Sequence, residues 1–293
     1  MEQLIISTFE QGFIYAIMAL GVYITYKILD FPDLSVDSTF PLGAAITTVI
    51  LSKGMNPLLA LAASVAAGAI AGTVTGLIHV KCKVRDLLSG IIVMTGLYTL
   101  NLRIVGGTAN VPLFNYKSVF DNDFVNAIFP EVLRPYKTVI IIFVIMLIAK
   151  ILLDLYLKTK SGYLLRAVGD NPTIVTSLAK DSGFVKIVGL AISNGLVSLA
   201  GSVMCQQQRF FEISMGTGTI VIGLASVIIG TNVFKGNLIK ATTAVVIGSV
   251  IYKACVAIAI ELGLPATDLK MITAVLFLII LLISMDRKKK VKS

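Results

Sequence analysis

Residues 57–79 read PLLALAASVAAGAIAGTVTGLIH, a run without a formally charged side chain. A bilayer's hydrocarbon core takes roughly 20 apolar residues in helical form, so the run predicts a membrane span. Ala60, Ser64, Gly68, Gly72 and Gly76 recur within it every four residues. That spacing puts small side chains on one helix face, where two backbones can approach closely in lipid. The face is expected to seal a contact inside one subunit, with a subunit interface as the second possibility.

Eight more runs of similar character surround this one. With 57–79 they place spans at about 8–28, 36–52, 87–106, 137–157, 186–205, 216–232, 238–259 and 269–285. Hydrophobic residues make up 56% of the chain and charged residues 14%, whereas a soluble domain carries about 25% charged. The expected fold is all-α: one polytopic helical bundle over 1–293, with about nine transmembrane helices, some short or broken. Glu2 and Glu10 replace the cationic start of a secretory signal, so the first span is expected to stay in the membrane.

The formal net charge is +9. No basic face interleaved with aromatics accompanies it, which argues against nucleic acid. The basic clusters fit a cytoplasmic side instead. The tail with Arg287, Lys288, Lys289, Lys290 and Lys292 belongs there. Counting back through nine spans puts the N-terminus outside and Lys81, Lys83 and Arg85, then Lys158, Lys160 and Arg166, then Lys235 and Lys240, inside. The longest external segment is then 107–136, placed to meet an extracellular partner.

Three scattered cysteines and a single histidine, His79, offer neither a disulfide framework nor metal-ligand spacing. No phosphate-binding Gly-rich loop, nucleophile elbow or paired-histidine motif occurs. Uphill transport must therefore draw on an ion gradient or on another polypeptide. Acidic residues sit mostly in loops or at span ends, which counts against ion coupling. An ion-coupled secondary transporter or channel acting without an ATPase remains the alternative. A membrane-embedded enzyme lacks the paired groups it would need. A faint echo links Lys53-Gly54 after the second span to Lys235-Gly236 after the seventh. On opposite sides of the membrane, that echo is what an inverted repeat gives.

The cytoplasmic segment 158–185 is too polar to span and too apolar for a loose linker. Tyr163 to Val168 predicts a short helix stopped by Gly169, with Asn171 and Pro172 opening a second one that runs to about Ala179. Its apolar residues, Leu164, Leu165 and Val168 among them, either fill a partner's groove or pack on the underside of the bundle.

Gly162, Arg166, Ala167, Gly169 and Asn171 resemble the coupling segment of ABC importer permeases of the branched-chain amino acid and ribose type. Gly189 to Leu196, Ser198 to Gly201, Gly216-Thr217-Gly218 and Asp33-Leu34-Ser35-Val36 also fit that family, over about 9–284. Asp33 to Ala45 and Asn101 to Ile104 are most similar to a subgroup of tryptophan and tyrosine uptake permeases. The resemblance implies a bacterial cytoplasmic-membrane importer subunit that forms the substrate pathway as a homodimer. It implies an ABC ATPase docking on Leu164, Leu165, Arg166, Ala167, Val168, Gly169, Asp170, Asn171 and Pro172. It further implies an extracellular or periplasmic substrate-binding protein, ATP and magnesium on the ATPase, no cofactor on this chain, and an amino-acid substrate, the subgroup pointing to an aromatic one.

Pathway candidates are Asp33, Ser35, Asp37, Tyr98, Asn101, Arg103, Gly216, Thr217 and Gly218. Asp33, Ser35 and Asp37 also suit capping of the second span. Arg103 either faces the pathway or reaches the outer headgroups, and Lys253 raises the same question. Gly216 to Gly218 either permit close packing or open a half-helix toward a substrate.

Overall fold

The computed structural model describes residues 2–122, 131–171, 181–234, 239–262 and 268–292. Lipid offers no partner for backbone N–H and C=O groups, so each span satisfies its own as a helix. The helices are α1 (Glu2–Val22), α2 (Val36–Ser52), α3 (Pro57–Lys81), α4 (Asp86–Ile104), α5 (Lys137–Leu157), α6 (Lys160–Asp170), α7 (Ser182–Gln208), α8 (Thr219–Val233), α9 (Ala241–Glu261) and α10 (Leu269–Lys292). Every expected span has its helix. Among the described residues seven stretches are long and apolar enough to cross a membrane, and Val36–Ser52 and Met271–Leu282 are shorter apolar helices.

Local chemistry sets several ends. Asn56 accepts the Leu58 N–H at 2.9 Å ahead of Pro57, the first residue of α3. Asp181 caps α7 through the N–H groups of Gly183 and Phe184. At the other end of α7, Arg209 turns the chain with φ 62°.

At the centre α1 and α7 run antiparallel, tied by Ser193 Oγ donating to the Gly21 carbonyl at 2.7 Å and by Gln207 Nε2 donating to Glu10 at 2.9 Å. Each central helix is wrapped by the opposite half of the chain. α7 packs on α2 and α3, while α1 packs on α8 and α9. The outer helices repeat the scheme, with α4 on α2 and α3, and α10 on α8 and α9. Residues 2–104 and 182–292 thus form two halves of opposite direction, joined by α5 and α6. This arrangement is the inverted repeat that the Lys-Gly echo suggests, with α2 and α8 as counterparts. Lys235 and Gly236 themselves lie outside the described residues.

The small-residue face of α3 seals the seam with α7. A Cβ on Gly68 or Gly72 would overlap the Asn194 or Leu190 carbonyl, and one on Gly76 would come within 2.9 Å of Ile187 Cα. Hydroxyls tie α2 into this seam as well. Ser64 Oγ donates to Gly43 O at 3.0 Å, Ser198 Oγ donates to Ser64 O at 2.7 Å, and Thr47 pairs with Ser202. Such bonds contribute on average about 0.6 kcal/mol each in a bilayer. The expected contact within one subunit is therefore what forms.

The segments that follow α4 and α7 form a two-stranded sheet. β1 (Asn110–Pro112) pairs antiparallel with β2 (Phe210–Glu212), Val111 opposite Phe211. Gln206 Oε1 accepts the Val119 N–H at 2.9 Å, and Arg209 bonds Asp121 at 3.0 Å. Residues 107–122 are thereby held against the end of α7. Residues 123–130 of the expected 107–136 segment lie outside the described residues.

Candidate functional site

α8 has 15 residues, which at 1.5 Å per residue gives about 22 Å, short of a hydrocarbon core of about 30 Å. α2 has 17 and is also short. Their N-termini meet inside the bundle. Asp37, in the first turn of α2, accepts the N–H groups of Gly218 and Ile220 at 2.9 Å each and the Thr219 hydroxyl at 3.2 Å. A carboxylate suits that place because a helix N-terminus presents free N–H groups and a positive dipole end. Asp37 therefore caps α8 and not its own helix, a correction to the capping expectation. Within Gly216 to Gly218, the Gly218 N–H is thus spent on Asp37, and the Thr217 N–H goes to the Ser214 carbonyl at 3.0 Å. Gly218 makes the turn with φ 83°. Gly216 lies against the Asp37 carbonyl, whose helical donor is missing because residue 41 is proline; a Cβ there would overlap that oxygen.

Asp33 and Ser35 form a second junction one turn earlier. Asp33 accepts the Ser35 N–H at 2.9 Å and the Asn194 amide at 2.8 Å, while the Ser35 hydroxyl donates to Asn194 Oδ1 at 3.2 Å. All three residues are buried. Asp33 thus does serve the start of α2, whereas the Ser35 side chain turns away to α7. α4 leans on this turn: a Cβ on Gly90 would sit 2.8 Å from Leu34 N. Sequence reasoning did not single out Asn194. Its signal was an amide in the middle of an otherwise apolar span.

α4 supplies the remaining pathway candidates and separates them. Asn101 is fully buried and donates to the Ser38 carbonyl at 2.9 Å, while its Oδ1 has no partner among the described residues. Tyr98 is 49% exposed, and Arg103 is exposed. Thr95 and Thr99 share that exposed side. Thr95, Tyr98, Thr99 and Arg103 fall at i, i+3, i+4 and i+8, one outward stripe. Asn101 joins the Asp33–Asp37 region, whereas Tyr98 and Arg103 point out of this chain. Lys253, the other cation within a span, is held inside, 3.9 Å from the Tyr15 ring centre and 3.3 Å from Gln11 Oε1.

On the opposite side of the fold, α6 differs from expectation. Thr159 caps it, the helix begins at Lys160, and it runs through Gly169 to Asp170. Gly169 does not stop the helix. It lets α6 approach the Ile28 carbonyl, which a Cβ would overlap. Asn171 is extended, with φ −158°, and follows α6 as its cap. Pro172 and the expected second short helix lie outside the described residues. Leu165 and Val168 are buried on the underside of the bundle, while Leu164, Ala167 and Gly169 are half-buried. Tyr163, Arg166, Asp170 and Asn171 face outward. A cavity of about 300 Å³ opens beside them, lined by Tyr23, Asp154, Lys158, Arg166, Lys240 and Thr242.

Antiparallel helical halves whose two short helices meet at the half-buried Asp37, beside the buried Asp33, suit a membrane transport protein. The family described as "Branched-chain amino acid transport system / permease component" matches residues 4–285, and the chain belongs to it. The tyrosine transport system permease protein of Clostridioides difficile is 46% identical over 275 residues, covering 94% of this chain and 89% of that one. The ribose import permease protein RbsC of Escherichia coli is 27% identical over 235 residues, 78% of this chain and 69% of that one. In fold, the chain is similar to one in PsaBC from Streptococcus pneumoniae, solved in complex with Fab. The TM-score is 0.53 at 11% identity, covering 93% of this chain and 89% of that one. The chain is thus a multi-pass permease subunit of an ABC importer, a class that works with an ATPase and a substrate-binding protein. A self-sufficient ion-coupled carrier or channel is not favoured.

Proposed function

We propose that two copies of this chain form the pathway of an importer for an aromatic amino acid, tyrosine foremost. The observation that carries this reading is the outward stripe of α4: Thr95, Tyr98, Thr99 and Arg103 on a membrane-crossing helix. Polar and cationic side chains are costly against lipid and gather where a span lines water or another helix. A second α4 across a two-fold axis gives the stripe such a setting. Tyr98 then offers a ring face and Arg103 a carboxylate partner, which suits a substrate with an aromatic ring and an α-carboxylate. The 46% identical relative named for tyrosine transport supports the choice.

Asn101 stands behind the stripe with an unused acceptor, and the Asp33 and Asp37 junctions hold α2 and α8 in register with it. The ATPase docks from the cytoplasm on the outward face of α6 and the residues that follow, from Tyr163 through Pro172. ATP and magnesium belong to that partner, and this chain carries no covalent chemistry. The N-terminus and the sheet of β1 and β2 face the outside of a bacterial cytoplasmic membrane, toward the binding protein, and the basic tail faces the cytoplasm.

The test is reconstitution of the chain with its ATPase and binding protein. ATP-dependent uptake of labelled tyrosine, competed by other aromatic amino acids and not by ribose, is the expected result. Uptake driven by an ion gradient without the ATPase would refute the reading.

A further inference from the structure

α1 does not end as an α-helix. Residues Tyr23–Ile28 form a π-helical turn, followed by two wide bonds, Leu29 N–H to Ile24 O and Phe31 N–H to Thr25 O, each 2.9 Å. Asp30 then takes φ 51°. π turns are rare, less favourable than α turns, and found mostly at functional places. This one lies under α6. Gly169 meets it backbone to backbone: a Cβ there would overlap Ile28 O and come within 3.2 Å of Leu29 Cα. Leu165 of α6 and Leu29 converge on Gly189 of α7, where a Cβ would stand 2.6 and 2.7 Å from their methyl groups. Beyond the π turn the chain has only a few residues before Asp33, bound to Asn194, and Asp37, bound to the start of α8. Phe31, between them, packs edge-on against His79.

We propose that the π turn relays motion of the ATPase-docking helix to the broken helices of the pathway, with Gly169 as the positioning residue of that relay. This inference rests on the reading that the ATPase docks on α6. A contact made of backbone on both sides has no side chain to yield, so a shift of α6 moves Ile28 and Leu29 directly. A π turn can lose or shift its wide hydrogen bonds without unwinding the helix around it, which suits an element with two arrangements. The segment 29–35 then carries the shift to Asp33 and Asp37. Those two carboxylates, bonded at opposite ends of a few residues, turn it into relative movement of α2, α7 and α8.

The experiment uses the full transporter with its ATPase and binding protein. In Gly169→Ala, stimulated hydrolysis and uptake are read per mole of ATPase that stays in the purified complex. Overpacking that contact is expected to reduce binding-protein-stimulated hydrolysis and uptake by about tenfold or more. A merely structural role would lower yield while leaving binding-protein stimulation and uptake per assembled complex unchanged. A Gly169→Ala complex with wild-type uptake per assembled complex and wild-type stimulation overturns the relay. Wild-type complexes that purify without any ATPase overturn the docking reading instead. Should Gly169→Ala fail to assemble, hydrogen exchange on the wild type decides. The Leu29 and Phe31 amides change protection between nucleotide-free and ATP-bound complexes if the relay operates, and equal protection in both overturns it.

Discussion

α3 and α4 are neighbours of similar character, yet they do opposite work. α3 turns Ser64, Gly68, Gly72 and Gly76 into α7 until backbone meets backbone. α4 buries Ser89, Gly90, Val93, Leu97 and Asn101 and leaves Thr95, Tyr98, Thr99 and Arg103 outside. Both patterns follow helical spacing. Small residues every four positions make a helix that is locked in place. Polar residues on a face with no partner in its own chain make a helix that waits for water, a substrate or a second copy. A variant in α3 should therefore damage folding before transport, and a variant in the α4 stripe the reverse.

The largest effect is expected at the locked seam. Gly72→Leu forces a side chain onto the Leu190 carbonyl and into the Asn194 side chain. It is expected to destabilise by about 3 kcal/mol or more, seen as loss of monodisperse protein in detergent. Asn194→Ala is next. It leaves the buried Asp33 carboxylate without its amide donor and removes the Ser35 partner, at roughly 2 kcal/mol for a hydrogen bond to a charged group. A lowered thermal midpoint with the bundle still assembled is the expected readout. An unchanged midpoint would mean that the Asp33 junction does not brace the central helices.

Tyr98→Ala and Arg103→Ala sharpen the other side of the comparison. Each should change stability by no more than about 0.5 kcal/mol, as exposed substitutions usually do, and so leave the thermal midpoint close to wild type. Each should lower tyrosine uptake roughly tenfold, which corresponds to about 1.4 kcal/mol. The smallest effect belongs to the apolar groove formed by α2, α3 and α4, lined among others by Ile70, Val74, Ile92 and Leu100. Ile70→Leu there, on α3, is expected to alter neither stability nor uptake measurably. A transport defect from Ile70→Leu, with Tyr98→Ala silent, would exchange the roles assigned to the two faces.

Hydropathy alone made the spans legible because a bilayer demands long apolar helices, and the four-residue rhythm of α3 announced its packing face. The junctions were hidden for a physical reason. Asp37 looks like a cap for its own helix until the fold brings Thr219 and Gly218 against it, and no local pattern records a partner so distant in the chain. Asn194 sat within a recognised run, but its bond to Asp33 depends on how α7 meets α2. Gly169 reads as a helix stop in the sequence, and only the proximity of Ile28 shows it to be a point of close approach. The Tyr23–Ile28 segment carries no composition that distinguishes a π turn from an α turn. The outward stripe of α4 was half legible: Tyr98 and Arg103 stood out as polar groups in a span, while Thr95 and Thr99 passed as ordinary helix residues.

The most direct measurement is cysteine reactivity along α4 in the assembled transporter, with Cys82, Cys205 and Cys255 replaced by serine. Thr95→Cys, Tyr98→Cys and Thr99→Cys should react with a membrane-impermeant thiol reagent, lose that reactivity when tyrosine and the binding protein are present, and cross-link to the same position of the second copy. Ile70→Cys, in the apolar groove on α3, should do none of these. Reactivity and cross-linking at Ile70→Cys, with the stripe positions silent, would contradict the claim that the polar face of α4 lines the pathway.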